Sequence, residues 1–151
     1  MARKNETTWF VVADGSRARF LVPVRGGSGY RVVATYESQE ARLPSHELVS
    51  TPPSRAQESA NPARHAIEPR QDPHTARKAA FSREIAHHLE GAGARGDYDR
   101  LVLYADPRSL ATLREALDPL TRSRVKVEIA KDLTKMPIAE LARHIATDLL
   151  G

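Results

Sequence analysis

Residues 8–24 read TWFVVADGSRARFLVPV. The run TWFVVA (8–13) is continuously apolar, as in a strand buried on both faces. Asp14-Gly15-Ser16-Arg17 interrupts it, and Asp-Gly between apolar runs is a hairpin signal. ARFLVPV (18–24) then reads as a second strand, with Pro23 near its end suggesting an edge or a strand end. Beyond the glycine-rich turn at 25–29, YRVVATYE (30–37) supplies a third strand. Short turns between three consecutive strands imply an antiparallel meander.

Downstream the pattern changes. Asp72-Pro73 gives an N-cap followed by a proline at the first helical position. Phe81, Ile85, Leu89 and Ala92 then recur at helical spacing, and Gly91, Gly93 and Gly96 are expected to end that helix. RLVLYA (100–105) is a fourth, buried strand. Asp106-Pro107 repeats the cap, and Leu110, Leu113 and Leu117 mark the inner face of a second helix. RVKVEIA (124–130) alternates as a fifth strand, with Val125, Val127 and Ile129 placed on the core side. After a polar loop at 131–136, Pro137 opens a last helix with Ile138, Leu141, Ala142, Ile145 and Leu149 inward. The expected fold class is therefore α/β: a five-stranded mixed sheet in the order 3-2-1-4-5, a three-strand meander followed by two βα units.

Between the two halves lies a stretch of another kind. Residues 38–72 hold five prolines, many Ser, Arg and Glu, no glycine and almost no periodicity. A connection this long is functional or flexible more often than not. A short helical turn is expected near 44–49. The whole of 1–151 reads as one domain carrying this insertion.

Composition narrows the function. The 151 residues are 40% hydrophobic and 28% charged, with no cysteine. That length buries a core unaided. Without cysteine there is no disulfide scaffold, Cys-ligated zinc, iron–sulfur cluster or cysteine nucleophile. No apolar run is long enough to span a membrane. The N-terminal apolar stretch is too short for a secretory signal, so the expected compartment is the cytoplasm. The net charge of +4 comes from 18 Arg and 5 Lys against 19 acidic residues. Arginine suits bidentate phosphate contacts, which admits RNA as a partner. No block is basic enough to form a nucleic-acid tail.

Strand order also places the candidate site. In open α/β sheets ligands bind beyond the carboxyl ends of strands where the order reverses. Here that point lies between strands 1 and 4. Asp14, Ser16 and Arg17 follow strand 1, Asp106 and Arg108 follow strand 4, and Lys131, Asp132 and Lys135 follow strand 5. The long loop adds Arg64, His65 and Arg70, with His74 at the first turn of the helix after it. The cations of this rim, assisted by helix N-termini, suit phosphate or RNA contacts. Aromatic residues are only 5% and the single Trp9 lies in a core strand, so a stacking platform for single-stranded RNA is not expected. A second reading places Asp14, Glu84 and Asp106 around two divalent ions as a nuclease. The same residues serve equally as turn former, solvated helix residue and cap. His65, Glu68, Asp72 and His74 are metal-capable types, but their spacing matches no standard ligand set. There is no Gly-rich phosphate loop and no serine nucleophile elbow, and no metal or other cofactor is expected.

Four segments, WFVVADGSRARF (9–20), RHAIEPRQDPH (64–74), YDRLVLYADPRSLATLREAL (98–117) and IAKDLTKMPIAEL (129–141), together resemble the bacterial host attachment protein family, described as proteins required for attachment to host cells. The resemblance covers nearly the whole chain, in order. It implies likeness to the middle domain of archaeal-eukaryotic peptide-chain release factors, hence a ribonuclease-H-like topology and a link to translation. That domain carries a Gly-Gly-Gln motif for peptidyl-tRNA hydrolysis between its third strand and first helix. The corresponding stretch here, 38–72, has no glycine, so the resemblance does not extend to peptide release. The expectation is a non-enzymatic module that binds RNA, the ribosome or a protein partner, any role in attachment being indirect. The oligomeric state is left open.

Overall fold

The apolar run at 8–13 becomes the central strand of the sheet. The computed structural model describes residues 6–27, 29–42 and 73–150. Within them lie β1 (Thr8–Ala13), β2 (Arg17–Pro23), β3 (Tyr30–Glu37), β4 (Arg100–Ala105) and β5 (Val125–Ile129). The helices are α1 (Gln39–Arg42), α2 (Pro73–Ala94), α3 (Pro107–Ala116), α4 (Pro119–Arg124) and α5 (Ile138–Leu150). The strands form one sheet in the order β3-β2-β1-β4-β5. β1 pairs antiparallel with β2 and parallel with β4, while β4 pairs parallel with β5. The mixed five-stranded α/β sheet is thus the one the periodicity implies.

Alternation along β1 feeds two cores. Val11 and Ala13 face one side with Phe20, Leu101 and Leu103, beneath Phe81, Ile85 and Leu89 of α2 and Leu110 and Leu113 of α3. Phe10 and Val12 face the other side with Leu21, Val102 and Tyr104, beneath Leu133 and the Leu141 and Ile145 of α5. Every one of these residues is at most 6% exposed. Truncating such a leucine to alanine costs about 2–5 kcal/mol.

Several expectations are corrected in detail. Gly91 and Gly93 do not end α2, which runs on to Ala94. Gly96, at φ +80°, makes the turn that follows. Between α3 and β5, a stretch to which the sequence reading assigns no element, Asp118 caps α4 by accepting from the Thr121 N–H at 2.8 Å, again with proline at the first position. Val125 does not share a face with Val127 and Ile129. A register shift between Leu101 and Val102 pairs Leu101 with Val125 and Val102 with Val127, so Val125 joins the α2 side and the other two the α5 side. Leu149 points outward and is 42% exposed. A helical turn does follow β3, but at Gln39–Arg42; the stretch 44–49 lies outside the described residues, as does Asp72.

Candidate functional site

Ala13 and Ala105 are register partners on the parallel strands β1 and β4, so Asp14 and Asp106 leave the sheet side by side. Each is committed to its own loop. Asp14 Oδ1 accepts the backbone N–H groups of Ser16 and Arg17, both at 2.7 Å. This Asx arrangement closes the β1–β2 turn, and Gly15 does not need a positive φ there. Gly15 is required for another reason: a Cβ on it would lie 2.5 Å from Cδ of Lys78. The lysine stem rests on the glycine, fixing α2 against the turn. Asp106 caps α3, its Oδ2 accepting from the Ser109 N–H at 3.1 Å.

A third carboxylate arrives from β5. Asp132 Oδ1 accepts from the Thr134 N–H at 3.1 Å and lies 2.6 Å from its hydroxyl, which also lies 3.0 Å from Asp14 Oδ2. A threonine hydroxyl has one proton to donate, so the two carboxylates share a single donor. Partial burial alone would raise the Asp14 carboxyl. The N–H groups of Ser16 and Arg17, the Thr134 hydroxyl and the Arg17 guanidinium, 3.8 Å away, outweigh it and hold the group below its ordinary value.

The loop bearing Thr134 is held across the sheet by an arginine that sequence reasoning missed. Nη2 of Arg19, on β2, donates to the carbonyls of Leu133, Thr134 and Met136 at 3.1, 2.9 and 2.8 Å. Desolvation, aided by the nearby Arg17 charge, lowers the pKa of Arg19.

Together these loops enclose a polar cavity of about 660 Å³. Asp14, Ser16, Asp106, Arg108 and Asp132 all line it, so the structure assembles five of the rim residues expected from strand order. Opposite them stand Thr75, Lys78 and Ser82 of α2 and Ser109 and Thr112 of α3. The signal for the α2 residues was available: 75, 78 and 82 form a polar stripe at helical spacing on turns adjoining the apolar Phe81–Ile85–Leu89 face.

The remaining candidates lie elsewhere. Arg17 pairs with Asp14 without lining the cavity. Lys131 is exposed and binds Asp148 at 2.8 Å on the α5 side. Lys135 is exposed and His74 half-buried in the first turn of α2, neither on the cavity wall. Glu84 is exposed on α2 and does not join Asp14 and Asp106 there, so the three carboxylates of the nuclease reading do not converge. Among the described residues no group of three metal-capable side chains is placed to hold an ion. Arg64, His65, Glu68 and Arg70 lie outside the described residues.

A mixed five-stranded sheet with helices on both faces and a polar cavity at its parallel strand ends defines a small α/β domain. The chain belongs to the family described as "Protein required for attachment to host cells", whose model matches residues 9–145. No curated protein matches it by sequence. Among solved structures it is similar to the archaeal translation termination factor aRF1, at 9% identity and a TM-score of 0.47. That match covers 95% of this chain and 39% of the factor, so the chain spans about two-fifths of its length. Among the described residues no helix is long and apolar enough to cross a membrane.

Proposed function

We propose that this chain is a non-enzymatic, cytoplasmic RNA-binding module of ribonuclease-H-like topology, working in association with the ribosome, and that the strand-end cavity receives a backbone phosphate. One observation carries this reading: the charged groups of the cavity are unequally engaged. Asp14, Asp106 and Asp132 each accept hydrogen bonds from their own loops. Lys78 and Arg108 make no ion pair with a described carboxylate, and both face the same space. Hydroxyls of Ser82 and Ser109 stand around them, while those of Ser16 and Thr112 already donate to Asp14 Oδ1 and the Arg108 carbonyl. Two cations that face a cavity without an ion pair to a described carboxylate suit an acceptor-rich ligand, and a phosphodiester presents only acceptors.

The test is an anisotropy titration of labelled RNA against salt. Phosphate contacts give a log–log slope of about −0.7 per contact on single strands and about −0.9 on duplex. Lys78→Met, which keeps the stem that rests on Gly15, and Arg108→Ala should each flatten the slope by about one contact without changing the melting temperature. Sedimentation of tagged protein through sucrose at low and high salt checks the ribosome directly, with salt-sensitive co-migration expected. Salt-independent capture of a protein partner, with no RNA affinity, would replace this reading with a protein-interaction module.

A further inference from the structure

The cations of the strand-end cavity share it with carboxylates. Asp14, Asp106 and Asp132 line it together with Lys78 and Arg108. The carboxylates are not equally engaged. Asp14 Oδ1 accepts from the Ser16 and Arg17 N–H groups, and its Oδ2 lies 3.0 Å from the Thr134 hydroxyl. Asp106 uses only Oδ2, on the Ser109 N–H, and Asp132 only Oδ1, on Thr134. Asp106 Oδ1 and Asp132 Oδ2 therefore have no hydrogen-bond partner among the described residues. A ligand made of acceptors alone would satisfy Lys78 and Arg108 and bring further negative charge to these two oxygens. The ligand that suits the whole wall offers acceptors to the cations and a donor to a carboxylate.

We propose that the cavity reads the 2′-hydroxyl of the ribose beside the bound phosphate and so takes RNA in preference to DNA, with Asp132 and Asp106 as the selecting residues. This rests on the phosphate reading and names the kind of strand to which that phosphate belongs. In RNA the 2′-hydroxyl is vicinal to the 3′-phosphodiester, so donor and acceptors arrive together. DNA brings the acceptors without that donor. A hydroxyl donating to an ionised carboxylate makes a strong, charge-assisted bond.

Size agrees with a sugar and its phosphate. The cavity of about 660 Å³ falls among those that enclose a small ligand, about 300–1,000 Å³, and exceeds what one phosphate group fills. A base amino group is the other donor that a nucleic acid could bring. None of the described residues lining the cavity is aromatic, so no wall there stacks a base. A divalent ion could also satisfy free carboxylate oxygens, but among the described residues no three metal-capable side chains are placed to hold one.

The probes are three uridylate oligomers of one length, with ribose, 2′-deoxyribose and 2′-fluororibose sugars, titrated by fluorescence anisotropy in EDTA and again with Mg²⁺. The fluoro sugar keeps the ribose pucker but has no proton to donate, which separates the hydroxyl from strand shape. One hydrogen bond to a charged group should make the ribose strand bind about tenfold more tightly than the other two in EDTA. Asp132→Asn and Asp106→Asn each keep the oxygen that their own loop uses, and asparagine caps a helix as well as aspartate does. Each replaces the free oxygen by an amide donor. Loss of a negative charge raises affinity for every strand, so the readout is the ratio of ribose to deoxyribose affinity. That ratio should fall by about threefold or more in at least one variant, with the melting temperature unchanged. Lys78→Met should weaken all three strands alike and leave the ratio intact. Equal, salt-sensitive affinities for the three strands overturn this inference and leave the phosphate reading standing. A fluoro strand that binds as tightly as the ribose strand overturns it, because shape is then what is read. A ratio unchanged in both variants, or a preference that appears only with Mg²⁺, overturns it as well. Binding of none of the strands refutes the phosphate reading itself, and this inference falls with it.

Discussion

Arg19→Met tests how the strand-end cavity is built. One nitrogen of Arg19 faces three carbonyls of the β5–α5 loop, at 2.8–3.1 Å. It has two protons, so at least one bond is shared. Hydrogen bonds to charged groups contribute about 1.5–3 kcal/mol each. Two of them set a ceiling near 6 kcal/mol. Desolvation of the guanidinium works against that gain, and its Nε is buried without a partner among the described residues. Methionine keeps the aliphatic stem and relieves both costs. A net loss of about 2–4 kcal/mol is expected. For a chain of 151 residues each kcal/mol moves the melting temperature by about 2–4 °C, so the midpoint should fall by roughly 4–16 °C. Urea unfolding followed by circular dichroism measures the loss. Hydrogen exchange should show 131–136 opening ahead of β1. A loss under about 1 kcal/mol, with the loop still protected, would refute the idea that Arg19 holds the loop in place.

Further outcomes follow from the same geometry. The folded pKa of Asp14 lies below its ordinary 3.8, so its contribution to stability is fully present above that value and lost as pH falls through the lower folded value. Asp14→Asn should therefore be less stable than the parent at neutral pH, and the gap should narrow towards pH 2; a constant gap would show that the carboxylate's charge is not what matters. Gly93→Ala should lose about 1–3 kcal/mol through collision with Arg124 and Tyr98, whereas Gly91→Ala should not, a contrast read by thermal melts of the two variants.

What could be read in the sequence depended on the range of the interactions. Strand order followed from local signals: continuous apolar runs, the Asp14-Gly15 turn and the Asp106-Pro107 cap all act within a few residues. The rim followed from that order, which is why Asp14, Asp106 and Asp132 meet as expected. The stripe 75–78–82 marks Lys78 as polar, but the space it faces is set by its packing on Gly15, sixty-three residues earlier in the chain. Arg19 contacts carbonyls over a hundred residues away, and backbone acceptors leave no mark in a sequence. Val125 was misplaced because alternation assumes an unbroken register, and the shift at Leu101–Val102 breaks it. Leu149 satisfied the helical spacing of α5 but lies beyond the sheet that covers Leu141 and Ile145.

The glycines show how one residue type answers different local demands. Gly15 admits the Lys78 stem, Gly93 admits the Tyr98 and Arg124 side chains, and Gly96 supplies a backbone angle that L-residues seldom adopt. Each is accounted for by the folded chain alone. Gly91 sits in the same helix as Gly93 and bears the same helical penalty, yet the nearest atom to a Cβ there would be Nη1 of Arg95, at 3.4 Å. The Asp14–Thr134–Asp132 contact is polar rather than steric. One hydroxyl proton serving two carboxylates is a poor way to stabilise a loop, yet the arrangement leaves Lys78 and Arg108 without a described carboxylate partner across the cavity. The strand-end cavity thus owes its polarity to the first turns of α2 as much as to the strand-end loops, since Thr75, Lys78 and Ser82 line it on turns whose other face carries Phe81 and Ile85 into the core.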